Sequence, residues 1–240
     1  MIDLHCHLLP GVDDGPSTMD ETVEYARLAA DAGTTTIVAT PHVELVEVPE
    51  LPDRVRQVQE QLGRERIDLH VEVGGELKPR SVSVLSQEEL ETIAHGPAGA
   101  RWVLFEVPFS GIDDAFHEAA AELRERGFAP VLAHPERASG FTDEGLPGLQ
   151  EEIDLGSPIQ MNTGPLAGRE SADREDAAAA LLELELATAI ATDAHAPSRP
   201  WTLRMARHAV LAKTGDRVLA ECLTESGPRR LLERGVLSTA

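Results

Sequence analysis

The sequence predicts an α/β fold in which a parallel sheet closes, or nearly closes, into a barrel with helices outside. Three observations predict it. Seven short β-branched or apolar runs recur along the 240 residues, segments of helical character lie between them, and the two kinds alternate in order. Such alternation requires parallel pairing through crossover connections, and about seven units are enough to close a barrel. An open doubly wound sheet is the alternative.

MIDLH is the first run, and TMDETVEYARLAADAG after it is a helix with Thr18 and Glu21 at capping-box spacing and Gly33 just past its end. TTTIVAT (34–40) is the second strand, followed by the helical segment PDRVRQVQEQLGRER. LHVEVGG (69–75) and WVLFEV (102–107) are the third and fourth strands, and DDAFHEAAAELRERG is the helix after them. APVLAH (129–134), SPIQMN (157–162) and TAIATDAH (188–195) complete the set, with SADREDAAAALLELELA and WTLRMARHAVLAKTG as further helices. No internal repeat, low-complexity tract or Pro/Gly/Ser-rich linker divides the chain, so one domain over residues 1–240 is expected.

A formal net charge of −21 repels a nucleic-acid backbone or an anionic membrane, so neither is expected as a partner. Cys6 and Cys222 are the only cysteines, which excludes a disulfide framework and fits a reducing compartment. No basic-then-apolar leader and no long uncharged apolar run occur, so a cytoplasmic location without membrane insertion is expected. Lys78 and Lys213 are the only lysines among 21 basic residues, a bias that fits a GC-rich genome and is given no functional meaning.

Histidine and carboxylate fall at the ends of the strands. The exits read DLHCH, ATPH, VGGE, LFEV, LAHPER, MNTG and ATDAH, which places His42, Glu76, Glu106, His134, Asp193 and His195 at or near the carboxyl edge. Parallel α/β folds build their active sites there. Singly, each of these residues reads as a satisfied core or rim group. Jointly they do not, because apolar strands end repeatedly in the same chemistry at one edge. Along MIDLHCH the period of two turns His5 and His7 to one face and Cys6 to the other, so Cys6 is expected to be a packed thiol and Cys222 a small buried residue. His70, His95, His117 and His208 begin a strand or lie in helical segments and receive no role.

Imidazole and carboxylate without thiolate suit manganese, iron, cobalt or zinc and argue against a structural zinc site. His5, His7, one of Asp13 and Asp14, His42, Glu76, Glu106, His134, Asp193 and His195 offer more ligands than one ion needs. Two or three divalent ions are the natural reading, and clustered ions of this kind serve phosphoryl-ester hydrolysis. Three such ions over four carboxylates leave a net positive site that attracts a phosphate dianion. Arg137 in HPER and Arg199 in HAPSRP lie close enough in sequence to add guanidinium forks at the same mouth.

The series DLHCHLLPGVDDG, TPH, GGE, FEVPF, AHPER, QMNTGPLAG and TDAHAPSRP, in order from residue 1 to about residue 205, resembles the PHP (polymerase and histidinol phosphatase) superfamily. More narrowly it resembles the CpsB/CapC-type metal-dependent protein-tyrosine phosphatases of bacterial capsule and exopolysaccharide operons. The resemblance implies a distorted (β/α)7 barrel with its metal site at the carboxyl ends of the strands. It implies three divalent ions, Mn2+ first among them, with Fe, Co or Zn as alternatives. Its register selects Asp14 over Asp13 as ligand, and makes Arg137, Arg199 and His42 the catalytic residues, His42 also serving as a ligand. As substrate it implies a phosphotyrosine-bearing protein, a membrane-associated bacterial tyrosine kinase of polysaccharide export.

One departure stands out, since the loop after His42 reads VELVEVPELPD, and Glu44, Glu47 and Glu50 are expected to form an acidic rim that repels an acidic phosphopeptide. The expected chemistry is metal-assisted hydrolysis of a phosphomonoester, with the general acid unidentified. A thiol-based phosphatase is excluded by spacing, because Val12 and Pro228 stand six residues after Cys6 and Cys222 where such an enzyme needs arginine. A small-metabolite phosphatase for histidinol phosphate or a sugar phosphate, and a non-catalytic metal-binding module, are the competing readings. A nuclease is disfavoured by the net acidity.

Overall fold

The computed structural model of the chain describes residues 1–141 and 145–237. Its strands are β1 (Ile2–Cys6), β2 (Thr36–Ala39), β3 (His70–Val73), β4 (Glu76–Leu77), β5 (Arg101–Glu106), β6 (Phe128–Ala133), β7 (Ile159–Asn162) and β8 (Ala187–Ala191). They form two parallel sheets, β1-β2-β3 and β4-β5-β6-β7-β8. The seams between the sheets are short parallel bridges, His42 to Glu76 on one side and Cys6 to Ala194 on the other. Asp193 N donating to His5 O (2.8 Å) and His7 N to Ala194 O (3.0 Å) complete the second seam. The seven predicted strands thus close into a parallel barrel, and the open-sheet alternative fails.

The third predicted strand is split in two. A Cβ on Gly74 would stand 2.5 Å from Val38 Cγ1, and one on Gly75 2.7 Å from Val43 Cγ1, so only paired glycines let the chain step inward between β3 and β4. That step carries Glu76 into the barrel. The last strand ends at Ala191, earlier than TAIATDAH suggests, and beyond it Ala194 and His195 make only isolated bridges, to Cys6 and Arg199.

Helices cover the outside in the expected order. After β1 comes α1 (Met19–Asp31), after β2 α2 (Leu51–Arg64), after β4 α3 (Pro79–Val82) and α4 (Gln87–Ile93), and after β5 α5 (Asp114–Glu125). Then follow α6 (Leu149–Asp154), α7 (Thr163–Leu166), α8 (Ala172–Glu183), α9 (Leu203–Thr214), α10 (Arg217–Glu221) and α11 (Gly227–Arg234). Thr18 caps α1 by accepting from Glu21 N at 3.3 Å, but Glu21 reaches Ser17 N (2.7 Å), so the reciprocal half of the box is displaced by one residue. The full capping box occurs at α4, between Ser86 and Glu89, in a segment not anticipated as a helix. His95 therefore follows a helix and pairs with the Trp102 backbone, and Cys222 is half-buried where a fully buried residue is expected.

Two apolar layers hold the fold. Ile37, Phe105, Leu132 and Ile190 face outward under the helices, with the Phe105 and Phe116 rings 4.7 Å apart. Ile2, Leu4, Val38, Trp102, Leu104, Val131 and Ala189 fill the barrel interior. Leu231 of α11 closes its lower end and accepts a hydrogen bond from Trp102 Nε1 at 2.9 Å. No helix among the described residues is long and apolar enough to cross a membrane.

Candidate functional site

Above this plug, at the carboxyl ends, all nine predicted ligands converge. Their donor atoms form four overlapping groups, each within 4.8 Å: His7, Asp14, His42 and His195; His5, His7 and Asp193; His5, Glu76 and His134; His42, Glu76 and Glu106.

On β1 the pairing register slips between Asp3 and Cys6, which lets both Leu4 and His5 turn inward. Asp3 satisfies the slip by accepting from His5 N (3.3 Å) and Thr192 N (3.0 Å). His5 and His7 are buried in the site, while Cys6 packs in the outer layer as a free thiol.

Three imidazoles are anchored through Nδ1 and turn Nε2 inward. His5 Nδ1 lies 2.8 Å from Gln160 Oε1, His7 Nδ1 2.6 Å from Asp13 Oδ2, and His195 Nδ1 2.9 Å from the Asp193 carbonyl. Each acceptor fixes the proton on Nδ1 and leaves the Nε2 lone pair for a ligand, the usual second layer of a metal site. Asp13 also accepts from Gly15 N (3.0 Å) and His42 N (3.2 Å). It is thereby committed to holding the loop, and Asp14, with Oδ1 3.1 Å from His195 Nε2 and 3.6 Å from His42 Nε2, is the carboxylate that faces the cluster.

Glu76 is the hub. Its Oε1 meets His134 Nε2 at 2.9 Å, and its Oε2 lies 2.9 Å from His42 Nδ1, 3.4 Å from His7 Nε2 and 3.6 Å from His5 Nε2. His134 and Asp193 occupy left-handed backbone conformations, φ +39° and +47°, which non-glycine residues adopt at a cost and which here aim both side chains back over the barrel.

β7 supplies no ligand but a chain of amides that sequence reading missed. Gln160 Nε2 donates to Asn162 Oδ1 (2.9 Å), and Asn162 Nδ2 donates to Asp193 Oδ2 (2.7 Å). His5 on β1 and Asp193 after β8 are thus held by one wire through the strand exit MNTG, the exit with no metal-competent group. An amide carries no charge and is common on any strand, so Gln160 and Asn162 give no signal of their own in the sequence.

Burial would push the Glu76 carboxyl up, but the His5 charge and the contacts from His134 and His42 hold it well below the usual range. Asp193 is lowered in the same way, against burial, by His5, His134, His7 and Arg137. Burial, then the neighbouring Glu76 charge, pushes Glu106 up to about 7. His7, in spite of burial, is raised to about 10 by Asp13 and Glu76. A field that keeps a proton on a fully buried imidazole favours any cation at that place. Buried atoms that lack a well-aligned hydrogen bond point the same way: Glu76 Oε2, Glu106 Oε2, His42 Nδ1 and His195 Nε2 all belong to residues of the cluster. The donor set therefore fits divalent metal.

A cleft of about 650 Å³ opens above the donors, lined by seven of the nine and by both predicted arginines. Arg137 Nη1 donates to Asp193 Oδ2 at 2.7 Å, and Arg199 Nη1 lies 3.8 Å from the same oxygen. The expected acidic rim does not form. Glu44 is ion-paired with Lys78 and, at 3.4 Å, with Arg80, while Glu50 pairs with Arg54 (3.2 Å) and borders a separate hollow with Glu47. Lys78 and Arg80 line the cleft mouth, so one of the two lysines passed over in the sequence belongs to the site wall.

Fold and site together define a PHP-type barrel with a metal-competent cleft at the carboxyl ends of its strands. Residues 1–233 match the family described as capsular polysaccharide synthesis, CpsB/CapC, and the chain belongs to that family. Tyrosine-protein phosphatase YwqE of Bacillus subtilis is 32% identical over 199 residues, covering 81% of this chain and 77% of YwqE. Tyrosine-protein phosphatase CpsB of Streptococcus pneumoniae is 26% identical over 97% of this chain and 98% of its own. A crystal structure from a study of YwqE and CpsB as unique metal-dependent tyrosine phosphatases superposes with a TM-score of 0.79 at 29% identity, covering 97% of this chain and 94% of that one. The phosphotriesterase homology protein of Escherichia coli, at 16% identity, a TM-score of 0.53 and coverage of 82% and 83%, shares the fold.

Proposed function

We propose that the protein is a metal-dependent phosphomonoester hydrolase of the protein-tyrosine phosphatase class, working as a single domain over residues 1–240. The carrying observation is the convergence of nine imidazole and carboxylate donors with two arginines around one cleft, in a chain whose relatives are tyrosine-protein phosphatases. His5, His7, Asp14, His42, Glu76, Glu106, His134, Asp193 and His195 would hold three divalent ions, Mn2+ foremost. Bound there, the ions supply Lewis acidity, activating water at neutral pH and neutralising phosphate charge.

Arg137 and Arg199 bind the non-bridging phosphate oxygens and stabilise charge on the transferring group. Arg137 is preorganised for this by Asp193 and by Glu170, 3.8 Å from its Nε. His42 is the most accessible of the five site imidazoles, with a side chain 16% exposed, which supports its contact with the substrate as well as metal. Phenolate leaves readily with a pKa near 10, so proton donation from water in the open cleft suffices. A thiol route has no support, because Cys6 is fully buried and its thiol is pushed up by burial. The physiological substrate is a phosphotyrosine-bearing protein in the cytoplasm, a membrane-associated bacterial tyrosine kinase of capsule or exopolysaccharide export. The pairing of Glu44 with Lys78 and Arg80 removes the electrostatic objection to it.

The test compares kcat/KM of the manganese-loaded protein for phosphotyrosine peptides, phosphoserine peptides, histidinol phosphate and short DNA. Phosphotyrosine is expected to lead, and a clear lead for histidinol phosphate overturns the protein-substrate reading. Activity on an aryl phosphate that survives thorough chelation overturns the metal mechanism.

A further inference from the structure

Aromatic residues make up 3% of this chain, and its phenylalanines are mostly core: Phe105, Phe116 and Phe128 are at most 1% exposed. Phe109 is 49% exposed, and it lines the catalytic cleft. Its ring is fixed in place. Arg137 Cζ lies 4.9 Å and Arg174 Cζ 5.6 Å from the ring centroid, within the range of a cation over an aromatic face. Glu170 ties the two guanidinium groups together, 2.7 Å from Arg174 Nη1 and 3.8 Å from Arg137 Nε. The loop beneath is pinned as well, since Ser139 N donates to Phe109 O (2.8 Å) and Gly111 N to Pro108 O (2.9 Å).

Several large apolar side chains are exposed on this surface, but among the described residues Phe109 is the one of them that lines the cleft. The cleft, at about 650 Å³, is of a size that holds an organic group as well as a phosphate. Among the described residues its apolar lining is Pro79, Pro108, Phe109 and Ala115, and Phe109 is the one phenyl ring in it. The Phe109 centroid is 6.4 Å from the His134 ring, so a phosphate held by Arg137 beside the donors leaves its ester substituent against this wall.

We propose that Phe109 is a specificity-determining residue that packs against the phenyl ring of the substrate and selects aryl over alkyl phosphomonoesters. This rests on the phosphotyrosine reading above and deepens it. A tyrosyl phosphate carries its ring directly behind the ester oxygen, where Phe109 can meet it in an offset or edge-to-face contact. A seryl phosphate or a sugar phosphate offers no ring there, and the contact is lost.

The test measures kcat/KM of manganese-loaded wild type, Phe109→Ala and Phe109→Tyr on a phosphotyrosine peptide, phenyl phosphate and an alkyl phosphate, with inhibition by inorganic phosphate alongside. Phe109→Ala is expected to lower the aryl-to-alkyl ratio about tenfold, chiefly through KM, and Phe109→Tyr to restore most of it. A ratio that does not move overturns the proposal. So does a loss shared by alkyl substrate and inorganic phosphate, which would make Phe109 only a support for Arg137. A wild-type enzyme that prefers alkyl phosphates overturns the phosphotyrosine reading itself, an outcome distinct from an aryl preference that survives Phe109→Ala.

Discussion

At the amino ends of the strands the barrel interior is an apolar plug of Ile2, Leu4, Val38, Trp102, Leu104 and Val131. At the carboxyl ends, a residue or two further along the same strands, it is a set of imidazoles and carboxylates with several buried atoms lacking well-aligned hydrogen bonds. β5 shows the change within one strand, from Trp102 and Leu104 to Glu106, all facing inward. The lower half stabilises through close-packed apolar burial. The upper half concentrates buried charge that metal and substrate are needed to balance. A rigid plug under a strained, charged site is how one small barrel combines stability with reactivity.

The largest expected effect is at the hub of the upper half. Glu76→Gln should lower kcat/KM on an aryl phosphate about a thousandfold, about 4 kcal/mol of transition-state stabilisation, and reduce bound metal measured by elemental analysis. Full metal content with full activity would remove Glu76 from the centre of the site. In the plug, Leu104→Ala should cost about 2–5 kcal/mol of unfolding free energy in denaturant titration. Activity per folded molecule should change little, and an equally large loss of metal affinity would show that the two halves are not separable. The smallest effect tests the layer between them. Gln160→Leu removes the acceptor from His5 Nδ1 and should weaken metal binding about 10- to 100-fold by calorimetry, with Gln160→Glu recovering part of it. Unaltered affinity would reduce the amide wire to packing.

Much of this organisation was legible in the sequence because it is periodic. Strand runs of five to eight residues alternating with amphipathic helices pointed to the barrel, and polar residues interrupting apolar strands at their ends pointed to the edge that carries the candidate ligands. Glu106, His134 and Asp193 stood out because a charged or titratable group at the end of a buried strand has a cost that packing alone does not justify.

Other features are set by neighbours far apart in the chain. Asp13 and Asp14 are chemically identical in a linear reading, and only the closure of the loop onto His7 and His42 commits the first to hydrogen bonding and leaves the second facing the cluster. Glu44 looked like part of a repulsive rim until β4 brought Lys78 and Arg80 beside it. Gln160 and Asn162 acquire meaning only when β7 lies between the residues they orient. The sequence by itself determined the elements, their alternation and the chemistry at one edge, because these depend on period and residue type within a few positions. The tertiary structure decided which donors share a centre, which carboxylates are neutralised and which ring is left open to substrate, because hydrogen bonds and charge interactions act across a few ångströms regardless of separation along the chain.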